Sequence, residues 1–300
     1  MLKDFSVSQF AVSRCAVVFS NAARPRYFAL LAGWIAWSLA SSSQAVPINY
    51  GDFLASTVTY RMVTEDTNSP GDATPLFGTP TISGNSMDFN PIGFDSESSG
   101  AAGNDITRGE LVFMVEANNK QVHAIQNLSI KELGDLTLSG NGTDATSVSV
   151  RMPTVIEIVE VDGVAITPIE LSMMSSPPLP VLNPMFAVLP SNASSDGTFQ
   201  LATDGGGQPI YATQWAGSLF VDLQDALLKS GMPFTRGVTK INVSFANVFA
   251  STSEDGTVAR IAKKDVSGLT VTANIPEPAS SGLALMALAA GLLAARRGRS

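Results

Sequence analysis

Hydrophobic and polar residues alternate with a period of two along much of this chain. From Leu269 to Ile275, Leu269, Val271, Ala273 and Ile275 fall on one side and Thr270, Thr272 and Asn274 on the other. That is the signature of a half-buried strand, because successive side chains of a strand point to opposite faces. Ser147–Met152 alternates in the same way, and Ile241–Phe249 begins so. Thr154–Val161 is a β-branched run followed by Asp162-Gly163 and a second run, Val164–Thr167. This predicts a hairpin closed by a two-residue type I′ turn. Further strands are predicted at Ser56–Val63, Glu110–Ala117, Asn127–Glu132 and Leu219–Val221.

A helical period is scarce. One helix is predicted over Asp222–Ser230, with Asp222 as N-cap, Gly231 as the stop and Leu223, Leu227 and Leu228 on one face. Many short strands separated by Gly, Asn, Asp, Ser and Pro predict an all-β fold, an antiparallel β-sandwich of jelly-roll-like type. An immunoglobulin-like sandwich is the alternative, although one such unit is shorter. The proline-rich stretch Ser175–Pro184 is read as a long loop inside one sandwich, with a linker between two halves as the alternative.

The two ends break the pattern. Lys3, Arg14, Arg24 and Arg26 precede an apolar stretch from Tyr27 to Leu39, and small residues follow to Ser43-Gln44-Ala45. This order predicts a signal peptide over residues 1–45, cleaved after Ala45. At the other end, Pro276-Glu277-Pro278 is followed by an uncharged run, Ala279–Ala295, and then by Arg296, Arg297 and Arg299. The run is about 17 residues long, at the short end of a membrane-spanning helix. The arginines would hold it with the tail in the cytoplasm and the preceding domain outside. The predicted organisation is therefore signal peptide 1–45, exported domain 46–275 and sorting segment 276–300, with motif 276–278, helix 279–295 and basic tail 296–300.

The sorting segment resembles the tail of the PEP-CTERM family. Pro276, Glu277 and Pro278 match its motif, and the apolar run with Arg296, Arg297 and Arg299 matches its other parts. The resemblance implies an exosortase, a membrane protease, as processing partner, after export across the inner membrane by Sec-type machinery. It also implies a destination in the envelope, outer surface or extracellular matrix of a Gram-negative-type bacterium, in which exopolysaccharide is a common companion. Asn49–Phe53, Pro75–Gly78, Ser86–Pro91 and Ala262–Asp265 look like segments of planctomycete-type members. That second resemblance supplies no activity.

Composition narrows the role. The chain holds 18 Lys and Arg against 26 Asp and Glu, for a formal net charge of −8. The two terminal signals contain seven of those cations but only Asp4 and Glu277 of the acids. Residues 46–275 are thus left with 11 against 24, a formal charge of −13. Such a domain is unsuited to nucleic acid or to anionic membrane surfaces, which require basic patches. Membrane contact is expected only through the C-terminal helix. The single cysteine, Cys15, lies in the signal, so the exported part has no disulfide despite an oxidising destination.

Candidate chemistry is thin. His123 is the only histidine and has no cysteine or second histidine with which to bind zinc. No G-x-S-x-G elbow supports a serine nucleophile. Asp88, Asp95, Glu97, Asp105 and Glu110 could supply the two facing carboxyls of a polysaccharide hydrolase, but acidic residues in Gly/Ser-rich segments ordinarily cap turns. The oxygen-rich stretches Asn68–Thr74 and Gly103–Thr107 could hold a structural calcium, and no other cofactor is expected. Tyr211 and Trp215, four residues apart, form the candidate sugar-binding platform. The leading expectation is a non-catalytic envelope or matrix protein. A carbohydrate-binding, lectin-like module is the alternative, and a polysaccharide hydrolase the third reading.

Overall fold

The computed structural model describes residues 46–67, 72, 75–101, 103–172, 186–189 and 197–276. The chain folds into two antiparallel eight-stranded sheets that share one hydrophobic core, a β-sandwich. The first sheet contains β1 (Ile48–Leu54), β2 (Val58–Thr67), β6 (Gly103–Ala117), β8 (Ser147–Arg151), β9 (Thr154–Val161), β10 (Val164–Ser172), β12 (Thr198–Gln200) and β14 (Val238–Ser253). The second contains β3 (Thr81–Ser83), β4 (Ser86–Phe89), β5 (Asp95–Ser99), β7 (Asn127–Ser139), β11 (Phe186–Leu189), β13 (Ile210–Asp222), β15 (Val258–Lys263) and β16 (Leu269–Asn274).

Two long strands organise the sheets. β14 pairs along one side with β6 and along the other with β9 and then β8. β7 pairs with β13 on one side and with β16 and then β15 on the other. The inner face of β7 carries Leu128, Ile130, Glu132, Gly134, Leu136 and Leu138, and that of β14 carries Ile241, Val243, Phe245, Asn247, Phe249 and Ser251. β7 alternates cleanly, β14 does so apart from the buried Thr239 and Ala246, and each puts a polar residue on the core side in mid-strand.

The predicted hairpin forms between β9 and β10. Asp162 (φ 53°) and Gly163 (φ 82°) both occupy the left-handed region that a type I′ turn requires. In β2 the alternation changes phase. Val58 and Tyr60 face inward, then Val63, Glu65 and Thr67, with the register shift between Arg61 and Thr64 and Met62 at φ 53°. This bulge inserts one residue, so that Val63, Glu65 and Thr67 take the core side in place of Met62, Thr64 and Asp66.

Two short helices lie in the connections: α1 (Leu201–Asp204) and α2 (Leu223–Lys229). Asp222 caps α2 as predicted, its Oδ1 accepting from the Asp225 N–H at 2.9 Å. The buried face is Leu223, Ala226 and Leu227, whereas Leu228 is exposed. The expected three-leucine face is therefore corrected, because Leu228 falls on the solvent side of the turn that follows Leu227.

Gly103–Thr107, expected as an ion-binding loop, is the first part of β6 and pairs with β14 from Ser253 to Phe249. Among the described residues no group of three or more acidic, His or Cys side chains is arranged to hold a metal ion. Among them, too, no helix is long and apolar enough to cross a membrane. The predicted span 279–295, most of Asn68–Thr74 and the proline stretch 175–184 lie outside the described residues.

Candidate functional site

The polar residues on the inner faces of the two organising strands meet. Glu132 of β7 and Lys263, the last residue of β15, belong to one sheet, and Asn247 of β14 reaches Glu132 from the other. Lys263 Nζ lies 3.2 Å from Glu132 Oε2, and both side chains are fully buried. Asn247 Nδ2 donates to Glu132 Oε1 at 2.5 Å. A carboxyl group therefore bridges a primary amine and a primary amide in the middle of the sandwich.

Aromatic rings enclose the amine. Lys263 Nζ lies 5.3 Å from the centroid of Phe94, 5.4 Å from Phe249 and 5.9 Å from Phe77 and from Trp215. The rings brace each other: Phe94 and Phe249 stand at 5.0 Å, Phe77 and Phe94 at 5.0 Å, and Trp215 and Phe249 at 5.5 Å edge to face. Ring faces favour a cation, but they do not replace the water that an ammonium loses on burial. Burial pushes the Lys263 amine below the usual lysine range, and the neighbouring Glu132 opposes that shift only in part.

Two glycines make room for the cage. Gly134 is paired with Lys263 on one side and with Trp215 on the other. A Cβ there would come within 2.3 Å of the Trp215 indole and of the Ala262 carbonyl. Gly109, opposite Asn247 in the β6–β14 ladder, leaves space for Phe77 and Phe94, whose rings a Cβ would meet at 2.7 and 2.8 Å. Phe77 is held from further out by Glu65. That buried carboxylate accepts from the Leu76 N–H, from the Phe77 N–H at 3.2 Å and from the Tyr50 hydroxyl at 2.6 Å. Burial first, and then Glu65 itself, drive the Tyr50 phenol well above the ordinary range.

The hydrogen bonding of the cluster is incomplete. Asn247 Oδ1, Trp215 Nε1, Glu132 Oε2 and Lys263 Nζ are buried without a well-aligned partner, so the Lys263–Glu132 contact is an ion-pair approach and not a formed hydrogen bond. Unsatisfied polar atoms deep in a core are costly, and their concentration at one point marks chemistry or stored strain. Chemically, the cluster can hold an amine toward its neutral form and move a proton between amine, carboxyl and amide.

The residues expected to bind sugar are placed differently. Trp215 is 1% exposed, and Tyr211 is half-buried on the same inner side of β13. The expected platform is corrected by strand parity: positions four apart in a strand share a face, and here that face is the core. The expected carboxylate cluster is spread among structural partners. Asp88 accepts from Thr270 Oγ1 at 2.6 Å and Asp105 from the Glu97 N–H at 3.0 Å. Glu110 accepts from Ser244 Oγ at 2.9 Å, while Asp95 and Glu97 flank Arg260. Of the sorting motif, Pro276 is exposed at the end of the described residues; Ala45, Glu277, Pro278, Arg296, Arg297 and Arg299 lie outside them.

One hollow opens on the outer face of the first sheet. It measures about 470 Å³ and is walled by Met62, Val112, Met114, Val155, Glu157 and Asn242 among others. No aromatic ring is exposed on it: Phe113, its one ring, is 2% exposed.

No family model matches the chain, and no curated protein matches it. Among solved structures, the chain is similar to the Trichoderma harzianum endoglucanase 3 from family GH12, with 9% identity over 71% of this chain and 98% of that one, at a TM-score of 0.17. It is also similar to the infectious bursal disease virus VP2 subviral particle, with 13% identity over 72% of this chain and 46% of that one, at a TM-score of 0.12. Likenesses of this size carry no argument about function.

Proposed function

We propose that the chain is an exported, non-catalytic protein of the bacterial envelope or extracellular matrix, handled at its C terminus as an exosortase substrate of PEP-CTERM type. The supporting observation is where the strands begin and end. β1 starts at Ile48, just after the proposed cleavage at Ala45, and β16 ends at Asn274, just before Pro276. Removing both terminal signals would cost the sandwich none of the strands among the described residues. The jelly-roll-like arrangement belongs to the same reading, as a scaffold whose aromatic and ionic groups serve its own interior. The carbohydrate-binding alternative loses its support, because Tyr211 and Trp215 face inward.

Mass spectrometry of the protein recovered from its native host tests this reading. The expected product starts at Val46 and lacks the tail beyond the Pro276-Glu277-Pro278 motif. A secreted or surface form that retains Arg299 would overturn it.

A further inference from the structure

We propose that Lys263 and Asn247 become joined by an intramolecular amide bond, formed by the folded protein itself with Glu132 as the proton-transferring catalytic residue. The inference rests on the core alone and stands whatever the destination of the protein.

Three requirements of the reaction are met. The nucleophile must be a neutral amine, and Lys263 is enclosed by four rings with no exposed side-chain surface. Such desolvation is how a lysine is made nucleophilic. The electrophile must be a carboxamide held on the same carboxylate as the amine, and Asn247 is fully buried with its Nδ2 fixed on Glu132. A proton carrier must touch both, and the two oxygens of Glu132 do so, at 3.2 Å to the amine and 2.5 Å to the amide nitrogen. Both separations are short enough for proton exchange once the amine turns an N–H toward Oε2.

The step balances without a co-reactant. Glu132 takes a proton from Nζ, leaving a neutral amine and a carboxylic acid. The Nζ lone pair attacks Cγ of Asn247, the Nζ–Cγ bond forms and the carbonyl electrons move to Oδ1. Glu132 delivers its proton to Nδ2 and receives the second proton of Nζ. The carbonyl re-forms, the Cγ–Nδ2 bond breaks and ammonia leaves. Amine and primary amide become secondary amide and ammonia, nothing is oxidised or reduced, and Glu132 can be restored. Holding the partners in a dry, rigid core supplies the proximity that this slow reaction lacks in solution.

The product would alter the cluster in an informative way. An amide nitrogen carries no charge, so the buried ammonium disappears. The new link would tie β14 of the first sheet to β15 of the second, through the centre of the sandwich. Residues 46–275 contain no cysteine, so no disulfide can serve this purpose. An amide is also indifferent to the redox state of its surroundings.

Peptide mapping of the full-length folded protein decides the matter. Trypsin should cut after Lys240, Arg260 and Lys264 but not after an acylated Lys263. The expected product is a branched peptide of Ile241–Arg260 and Ile261–Lys264, with two amino termini. Its mass should be about 17 Da below the sum of its parts, the ammonia released. Linear peptides with unmodified Asn247 and cleavage after Lys263 would overturn the proposal. Asn247→Ala should give only the linear map, and Asn247→Asp should give the branch with loss of water, about 18 Da. Glu132→Gln, checked for folding by the near-ultraviolet dichroism of Trp215, should reduce the branch at least tenfold. Glu132→Asp keeps an acid in place and should form it more slowly. Full branching in the folded Gln variant would remove Glu132 from the mechanism.

Discussion

At the scale of single residues, the informative positions are polar or missing side chains where the pattern calls for an apolar one. Glu132, Asn247 and Lys263 each occupy a core-facing position, between or next to Ile130, Phe245, Phe249 and Ile261. The pattern predicts a strand ending at Glu132. In the structure β7 continues seven residues further, to Ser139, with the carboxylate inside. The signal was there as parity, but parity alone does not say that three such positions meet across two sheets. The glycines tell the same story. Gly134→Ala would drive a methyl group into the Trp215 ring and, less forgivingly, into the backbone carbonyl of Ala262. Because the carbonyl belongs to a paired strand, it cannot yield cheaply. A loss of about 1–3 kcal/mol is expected for such overpacking. Urea unfolding followed by Trp215 fluorescence would measure it, and an unchanged midpoint would mean that the cage is looser than the structure shows.

At the scale of elements, legibility followed periodicity. β9, the start of β10, the core of β14, β16 and the cap of α2 were all readable, because each pairs strong β-branched alternation or a capping residue with a turn signal. β5 was not. Its sequence is Asp-Ser-Glu-Ser-Ser, yet Ser96 and Ser98 are buried, and Ser96 Oγ bonds to Asp105 O and Ser251 Oγ at 3.0 Å each. A strand whose inner face is hydroxyl cannot be told from a loop by hydropathy. The β9–β10 turn offers a sharper test of an element held by one residue. The Asp162 carboxylate accepts from the backbone N–H groups of Thr235, Arg236 and Gly237 at 2.6, 2.8 and 2.9 Å. It thereby ties the hairpin tip to the chain entering β14. Asp162→Ala removes all three bonds and puts a poor residue at φ 53°, for an expected loss of about 1–3 kcal/mol. Asp162→Asn keeps an acceptor and a side chain that tolerates that backbone, so it should lose less. Equal losses in denaturant titrations would show that the contribution is charge alone.

At the scale of the whole molecule, the acidic surface and the ion-pair network respond to pH in different windows. Glu116 lies among Arg61, Lys120 and Lys240, at 2.5 Å from the first two and 3.3 Å from the third. Partial burial would raise its pKa, but hydrogen bonds and charge from those cations overcome it and hold the carboxyl at about 2. Glu160, bonded to Lys120 and Thr239, and Asp162, on its three N–H groups, are also held below the ordinary range against the effect of burial. A carboxylate depressed in the folded state adds stability that is complete above its unfolded value of about 4.5 and disappears as pH falls towards about 2. Above that window the dominant effect is different. Residues 46–275 carry a formal charge of −13, and mild acidification relieves their self-repulsion without protonating the paired carboxylates. The melting temperature should therefore hold or rise slightly from pH 7 to about 5 and fall steeply between about 4.5 and 2. Lys120→Met makes the assignment specific. It removes one of the two cations shared by Glu116 and Glu160, Lys240 being the other, and should lower stability at pH 7 while moving the onset of the acid loss upward. An onset unmoved by that substitution would show that the acid transition is governed elsewhere in the sandwich.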